Sequence, residues 1–173
     1  MAGCRSPSCT GFTLIELLIA VAVLAIVATI GVPSFQHFME NQRIMERRDA
    51  LLSGLSLARE TALNQLQPVV LCPSSDGSSC GTDWTTGWLA FVDSDRDSTL
   101  DSGETILAVQ QNDTRISVSL SGASSLVTFL PNGFVNSSTF NFCSSSISSS
   151  NRQIEISSVG NLTLGDGSAI TCS

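Results

Sequence analysis

A run of carboxylates with short, regular spacing is the clearest candidate for chemistry in this sequence. The acidic positions are Asp93, Asp95, Asp97, Asp101 and Glu104. Their oxygens fall at the relative positions of the ligands in an EF-hand calcium loop. Two features depart from that pattern: Ser98 stands where the sharp turn usually takes glycine, and strands rather than helices are expected on both sides. Two hypotheses therefore stand, a calcium site and a solvated, metal-free acidic loop, and the departures favour the second.

A single carboxylate, Glu16, stands inside the longest apolar run of the chain. It is the only charged residue between Phe12 and Gly31, and the run continues to Val32. At a rise of about 1.5 Å per residue, roughly 20 helical residues reach about 30 Å, the thickness of a bilayer's hydrocarbon core. We therefore expect residues 12–32 to form one membrane-spanning helix. A carboxylate in such a helix costs roughly 2.5–3.5 kcal/mol, so its presence indicates a partner and a purpose.

Composition argues against two functional classes. The chain has 15 acidic and 8 basic residues, all the latter arginine, and a formal charge of −7. Because a phosphate backbone is bound through Lys and Arg, nucleic-acid binding is not expected. The sequence also lacks a Gly-x-Ser-x-Gly context and a phosphate-binding glycine loop, and its one histidine, His37, has no nucleophile near it in sequence. We therefore expect no catalytic residues and no enzyme activity.

A long helix should carry Glu16 and lead into the rest of the chain. Pro33 follows the apolar run and is expected to kink or interrupt the helix. Apolar residues then recur three or four apart until Pro68 ends the pattern, which predicts an amphipathic helix in residues 33–67 lying across a sheet. The apolar positions are Phe35, Phe38, Met39, Ile44, Leu51, Leu55, Ala58, Ala62 and Leu66.

Short β-rich runs between turn clusters fill residues 68–173. The predicted strands are Val69–Cys72, Gly87–Val92, Thr105–Val109, Arg115–Leu120, Leu126–Leu130, Thr139–Cys143, Gln153–Ser157, Asn161–Leu164 and Ala169–Cys172. A turn is predicted at Pro131-Asn132-Gly133-Phe134. The predicted fold is therefore α+β: a long N-terminal helix, membrane-spanning in its first half and amphipathic in its second, packed on an antiparallel β-sheet domain.

The residues around Glu16 resemble a known processing signature. Gly11-Phe12-Thr13-Leu14-Ile15-Glu16 is similar to the motif of type IV pilins and of the pseudopilins of type II secretion. The resemblance implies that a prepilin peptidase in the inner membrane cuts between Gly11 and Phe12, releases residues 1–11 as a leader and methylates Phe12. The freed amine is cationic near neutral pH and can neutralise Glu16 of an adjacent subunit, which sets register more than stability. The alternative is an ordinary signal anchor.

A second set of motifs narrows this resemblance to the GspH/FimT group of minor pilins and pseudopilins, with FimU-like features. The motifs are Leu71-Cys72-Pro73, Cys80, Trp84, Gly87 to Asp93, and Asp101 to Glu104. The group implies a subunit present in few copies, which helps to initiate or cap a type IV pilus and contacts other pilins through its N-terminal helix. It also implies a single pass through the bacterial inner membrane, with residues 68–173 in the periplasm. The alternative is a GspH-type pseudopilin of type II secretion.

DNA binding in natural transformation is a lesser alternative that the same group raises. Some FimT-type relatives carry an arginine-rich C-terminal stretch. The comparable stretch here has one arginine, Arg152, offset by Glu155. Nucleic acid is therefore not expected as a partner.

Four of the six cysteines lie in the β-rich part of the chain. Cys4 and Cys9 belong to the leader, which leaves Cys72, Cys80, Cys143 and Cys172. Four cysteines allow three pairings. We favour Cys72–Cys80, which closes a short polar loop, and Cys143–Cys172, which ties down the C-terminus. A zinc site is the alternative, but the spacing is wide and only one histidine is present.

Overall fold

A single long helix opens the computed structural model of the chain, which describes residues 12–111, 114–122, 124–144, 151–165 and 170. Helix α1 spans Leu14–Gln65 and runs without a break through Pro33. The predicted interruption at Pro33 is therefore wrong, whereas a kink there stays a prediction. The chain divides into two compact units, residues 1–38 and 39–173, and α1 contributes to both.

In the first unit, every described side chain is exposed to solvent, including the whole apolar run from Phe12 to Val32. Phe35 and Phe38, predicted to begin the packed face of the helix, are exposed as well, so that prediction is wrong. Buried positions of α1 begin only at Glu40 and Ile44. The apolar pattern alone cannot show where the sheets begin to cover the helix.

In the second unit, one face of α1 packs on the β-sheets. Its buried apolar residues are Ile44, Leu51, Leu55, Ala58 and Ala62, which confirms those positions of the predicted amphipathic face. Leu66 does not belong to that face. It lies beyond the helix end, adopts a φ of +56° and is 69% exposed. Pro68 is consistent with a helix end near this point, because a proline disfavours helical backbone at the residue before it, here Gln67.

Eight strands follow the helix: β1 (Val69–Pro73), β2 (Gly87–Val92), β3 (Ile106–Gln111), β4 (Ile116–Gly122), β5 (Val127–Phe129), β6 (Ser138–Ser144), β7 (Arg152–Ile156) and β8 (Leu162–Gly165). They form two antiparallel sheets, one in the order β3-β2-β1-β5 and the other β4-β6-β7-β8. Each confirms a predicted strand to within two residues at either end. The predicted strand Ala169–Cys172 lies outside the described residues except for Ile170, which is not in a strand.

The main core lies between α1 and both sheets, so the predicted α+β class is confirmed, with two sheets in place of one. β1 and β2 are buried along their whole length, because Cys80, Leu100 and Leu126 pack against the smaller apolar cluster on their other face, which consists of Val70, Cys72, Leu89 and Phe91. This explains why these two strands are apolar at nearly every position. β4 and β6 instead alternate buried and more exposed residues over most of their length, as strands with one solvated face do.

Trp84 and Thr85 join the two sheets. The Trp84 indole packs edge-on against Phe140 at a centroid distance of 4.7 Å and donates from Nε1 to the Ser125 carbonyl at 3.2 Å. The Thr85 hydroxyl accepts from the backbone N–H of Val118 at 3.2 Å and lies 3.4 Å from its carbonyl oxygen. These contacts link the segment before β2 to β4 and β6 of the second sheet.

Candidate assembly helix and acidic loop

The first turn of α1 places Glu16 beside the helix N-terminus. The backbone N–H of Glu16 donates to Oγ1 of Thr13 at 3.3 Å, and Leu17 donates to the Thr13 carbonyl at 3.2 Å. Thr13 and Glu16 thus have the spacing of a capping box, in which the threonine satisfies a free N–H of the first turn. An acid in this turn also interacts favourably with the helix dipole. Gly11, on the other side of the predicted cut, lies outside the described residues.

Helix α1 is long and apolar enough to cross a membrane, by length and composition. Its most apolar 18-residue window has a mean hydropathy of 2.7, and no residue of that window is buried within the chain. Burying such a surface is strongly favourable, at roughly 25 cal/mol per Å² of apolar area. This surface is suited to lipid or to other apolar helices, and none of the described residues buries it.

The acidic loop begins at the end of β2 with a carboxylate that is only 1% exposed, that of Asp93. Its Oδ1 accepts from the backbone N–H of Arg96 at 2.8 Å and its Oδ2 from that of Ser98 at 3.1 Å. Arg96 and Ser98 both adopt a left-handed backbone conformation, with φ of +69° and +63°. Ser98 therefore adopts a backbone conformation typical of glycine at the very position where the EF-hand pattern expects one.

Glu104 closes the same loop from its other end. Its Oε1 accepts from the N–H of Ser94 at 2.7 Å and its Oε2 from that of Asp101 at 3.2 Å. Four backbone donors thus hold the two carboxylates of Asp93 and Glu104. These hydrogen bonds stabilise the loop at both of its ends.

The structure brings together only part of the predicted calcium ligand set. One carboxylate oxygen each from Asp93, Asp95 and Asp97 lies within 4.8 Å of the others, and Asp101 and Glu104 are not in this group. Burial raises the pKa of the Asp93 carboxyl, although its backbone donors oppose the shift. The negative charge of Asp97 raises the pKa of Asp101. The charges repel one another, but exposed acidic groups also occur together without a metal, so the calcium site and the metal-free loop both remain hypotheses.

The predicted disulfide between Cys72 and Cys80 is present, with the two Cα atoms 5.5 Å apart. Cys143 is also disulfide-bonded. Its predicted partner, Cys172, lies outside the described residues, so the pairing Cys143–Cys172 stays a prediction.

The loop closed by this disulfide contains a site that the sequence analysis missed. Oδ1 of Asp76 accepts from the N–H groups of Ser78 and Ser79 at 2.8 and 2.9 Å, and its Oδ2 accepts from the Ser79 hydroxyl at 2.7 Å. These donors, the Ser78 N–H first, hold the pKa of Asp76 well below its usual range. Asp-x-Ser-Ser in a short loop is a signal of this turn type that could have found it.

A buried polar contact between α1 and the second sheet was also missed. Glu40 is 8% exposed, and its Oε1 accepts from the Ser144 hydroxyl at 2.7 Å across 104 residues of sequence. Arg43 donates to its Oε2 at 3.3 Å. No local sequence pattern predicts a contact between residues so far apart in the sequence.

Two profiles of known families match the chain. A profile of the prokaryotic N-terminal methylation motif matches residues 7–32, and a profile of the family described as type II transport protein GspH matches residues 48–160. The first covers the capped start of α1 and its apolar run. The second begins in the amphipathic half of α1 and ends beyond β7.

Among curated proteins, the chain is similar to the type IV major fimbrial protein FimA of Dichelobacter nodosus. The two are 33% identical over 76 residues, which is 44% of this chain and 43% of the relative. The match therefore spans less than half of that protein.

Solved structures of minor pilins share the fold. The type IV minor pilin FimU of Pseudomonas aeruginosa superposes with a TM-score of 0.52 at 20% identity, over 70% of this chain and 91% of that one. The minor pseudopilin EpsH from the type 2 secretion system of Vibrio cholerae gives a TM-score of 0.52 at 12% identity, over 70% and 95%. At these identities the likeness establishes the architecture of a helix on two sheets.

Proposed function

Because this chain belongs to the GspH family of minor pilins and pseudopilins, we propose that it helps to initiate or cap a type IV pilus. The observation that carries the proposal is the match to the N-terminal methylation motif over an exposed apolar run, residues 12–32, whose one charge is Glu16. In this proposal a prepilin peptidase cuts between Gly11 and Phe12 and methylates the new N-terminus. The chain then acts as a structural subunit and not as an enzyme.

The proposed mechanism is an exchange of apolar surroundings. Before assembly, lipid solvates the first half of α1 in the inner membrane, and residues 68–173 lie in the periplasm. In the fibre, the helices of other pilins replace the lipid. The carboxylate of Glu16 then meets the amine of a neighbouring subunit, which fixes the register because an unpaired charge would otherwise be buried. The Thr13 cap supports this step by starting the helix at Leu14 and holding Glu16 in its first turn.

The similarity to a major fimbrial protein of a type IV pilus supports the pilus over the alternative. The second candidate is a pseudopilin of type II secretion, which the description of the matching family favours. Both would use the same anchor helix, so the difference lies in the fibre that incorporates it.

A comparison of fibres and secretion tests the proposal. The encoding gene is deleted in the native host, and surface fibres are sheared off and quantified beside the total secreted protein. We expect fewer fibres and unchanged secretion, with the complementing chain present in the sheared fraction and beginning at methylated Phe12. Normal fibres with impaired secretion would instead establish the pseudopilin, and residues 1–11 still attached would contradict assembly of either kind.

A further inference from the structure

A set of exposed apolar side chains lies near the C-terminal end of α1. It consists of Leu63, Leu130, Phe134 and Val159, which we call the distal patch. The helix between Met39 and Gln65 rises about 1.5 Å per residue, so its two ends lie about 39 Å apart. Isolated exposed apolar residues are ordinary, but an adjoining group of this kind is typical of an interaction surface.

Turn contacts hold the members of the distal patch together. The N–H of Leu130 donates to the Phe134 carbonyl and the N–H of Gly133 to the Leu130 carbonyl, both at 2.8 Å. Gly133 also faces α1, since a Cβ there would stand 3.3 Å from Cδ2 of Leu63. Gly160, next to Val159, faces the Gly133 carbonyl, because a Cβ at residue 160 would stand 2.8 Å from that oxygen. The two glycines let both turns approach closely enough to form one surface.

The acidic loop, residues 93–104, borders the distal patch. Leu130 and Phe134 line a pocket of about 450 Å³ whose wall also includes Ser98 of that loop. The loop carries five acids against one arginine, and Asp95, Asp97 and Asp101 are all exposed. An apolar surface with a pocket is thus bordered on one side by concentrated negative charge.

The chain is itself acidic, with 15 acids against 8 arginines and no lysine, so a second copy would bring mostly like charge to the acidic loop. Arg43 pairs with Glu40 at 3.3 Å and Arg48 with Asp49 at 2.7 Å. Arg152 donates to the Asn151 carbonyl at 2.8 Å and to Asn41 at 3.1 Å. A complementary cation is better supplied by a different chain.

We propose that the distal patch and the acidic loop together bind a different pilin-like subunit, one that presents Lys or Arg beside a large apolar side chain. The apolar side chain enters the pocket between Phe134 and Ser98, and the cation meets the exposed aspartates. Such a contact between unlike surfaces is heterologous, the kind from which helical filaments are built. This inference rests on the proposed function, because it requires the chain to sit among other pilin-like subunits.

Photo-crosslinking of the full chain in its native host tests the contact. Phe134 is replaced by p-benzoylphenylalanine, and the matched control carries the same group at Ser119, an exposed position of β4. After irradiation, adducts in membranes and sheared fibres are mapped by peptide mass spectrometry. We expect an adduct from position 134, absent from position 119, to a pilin-like subunit at a peptide with Lys or Arg near an apolar residue.

Charge reversal then tests the chemistry of the contact. The pair Asp97→Lys and Asp101→Lys should lower the yield of that adduct by about tenfold, because like charges across an interface repel. Glu155→Lys, an exposed acid on β7, is the matched control and should leave the yield unchanged. Replacing the partner's cation at the mapped peptide with Glu should restore the yield with the double variant.

Several outcomes would overturn the inference while leaving the proposed function intact. They are a chain present in sheared fibres that gives no adduct at 134, an adduct only to a second copy, an adduct to a protein without a pilin fold, or a yield that charge reversal does not change. A chain missing from fibres and pseudopili alike would remove the proposed function and this inference together.

Discussion

The indole ring of Trp88 lies directly against Gly54 in the middle of α1. A Cβ atom at residue 54 would overlap Cη2 of the ring and stand 2.7 Å from Cζ3. Both residues are buried, and they connect the helix to the central strand β2. The glycine is therefore a packing requirement, although it lowers the intrinsic helix propensity of its segment by roughly 1 kcal/mol.

Gly54→Ala should destabilise the second unit. The gain in helix propensity is up to about 1 kcal/mol, but overpacking against a rigid ring costs roughly 1–3 kcal/mol, and the shortest distance here favours the upper end. The measurement is the thermal unfolding of the full chain in detergent, followed by near-ultraviolet circular dichroism of the tryptophans. The matched control is Gly31→Ala, because a Cβ there meets nothing within 4 Å. Equal melting temperatures for the parent and Gly54→Ala would contradict this packing.

Glu16→Ala should impair incorporation without impairing insertion. Removing a carboxylate makes the apolar run a better membrane segment, since the charge costs roughly 2.5–3.5 kcal/mol in lipid. The amine of the neighbouring subunit, however, loses its partner. We expect membrane levels and leader cleavage to stay near normal and recovery in sheared fibres to fall about tenfold, equivalent to about 1.4 kcal/mol.

The control for that variant is Glu60→Ala, which removes an exposed carboxylate from the same helix in the second unit. It should be recovered in fibres like the parent chain. Normal recovery of Glu16→Ala would show that the carboxylate does not guide assembly.

The Asp76 loop should lose stability in acid. Its pKa in the folded chain lies below the ordinary value of 3.8, so the folded form favours the ionised carboxylate. The stabilisation is fully present above about pH 4 and is lost as the pH falls through the folded pKa. Asp93, whose pKa is raised, contributes in the opposite direction, because protonation relieves the burial of its charge.

The measurement for this prediction is the melting temperature of the full chain as the pH is lowered from neutrality. Asp76→Asn should be less stable than the parent at neutral pH and should lose less stability on acidification. Asp83→Asn, in another exposed loop with one backbone donor to its carboxylate, is the control. An acid profile of Asp76→Asn identical to that of the parent would rule out this carboxylate as a source of the dependence.

The acidic loop should keep its fold without calcium. Backbone donors already hold Asp93 and Glu104, so a cation has little left to organise. We expect no saturable heat when millimolar calcium is titrated into the full chain in detergent, and equal melting temperatures in calcium and in chelator. Saturable heat that disappears in Asp95→Asn would instead establish a calcium site.

Local sequence signals determined most of the secondary structure. The proline at residue 68, the turn at Pro131 to Phe134 and the β-rich runs between polar clusters located eight strands to within two residues. The lone acid in an apolar run located the anchor helix, and paired cysteines a few residues apart located one disulfide. These features depend on neighbours in sequence, so a pattern suffices to read them.

Only the tertiary structure decided which parts meet. It placed Trp88 on Gly54, buried Glu40 against Ser144, left Phe35 and Leu66 exposed, and divided the strands between two sheets. It also brought the acidic loop beside the distal patch. Each of these relationships joins residues far apart in the chain or depends on where another element stops. The physical reason is that burial and close packing belong to the assembled surfaces, and no single segment carries that information.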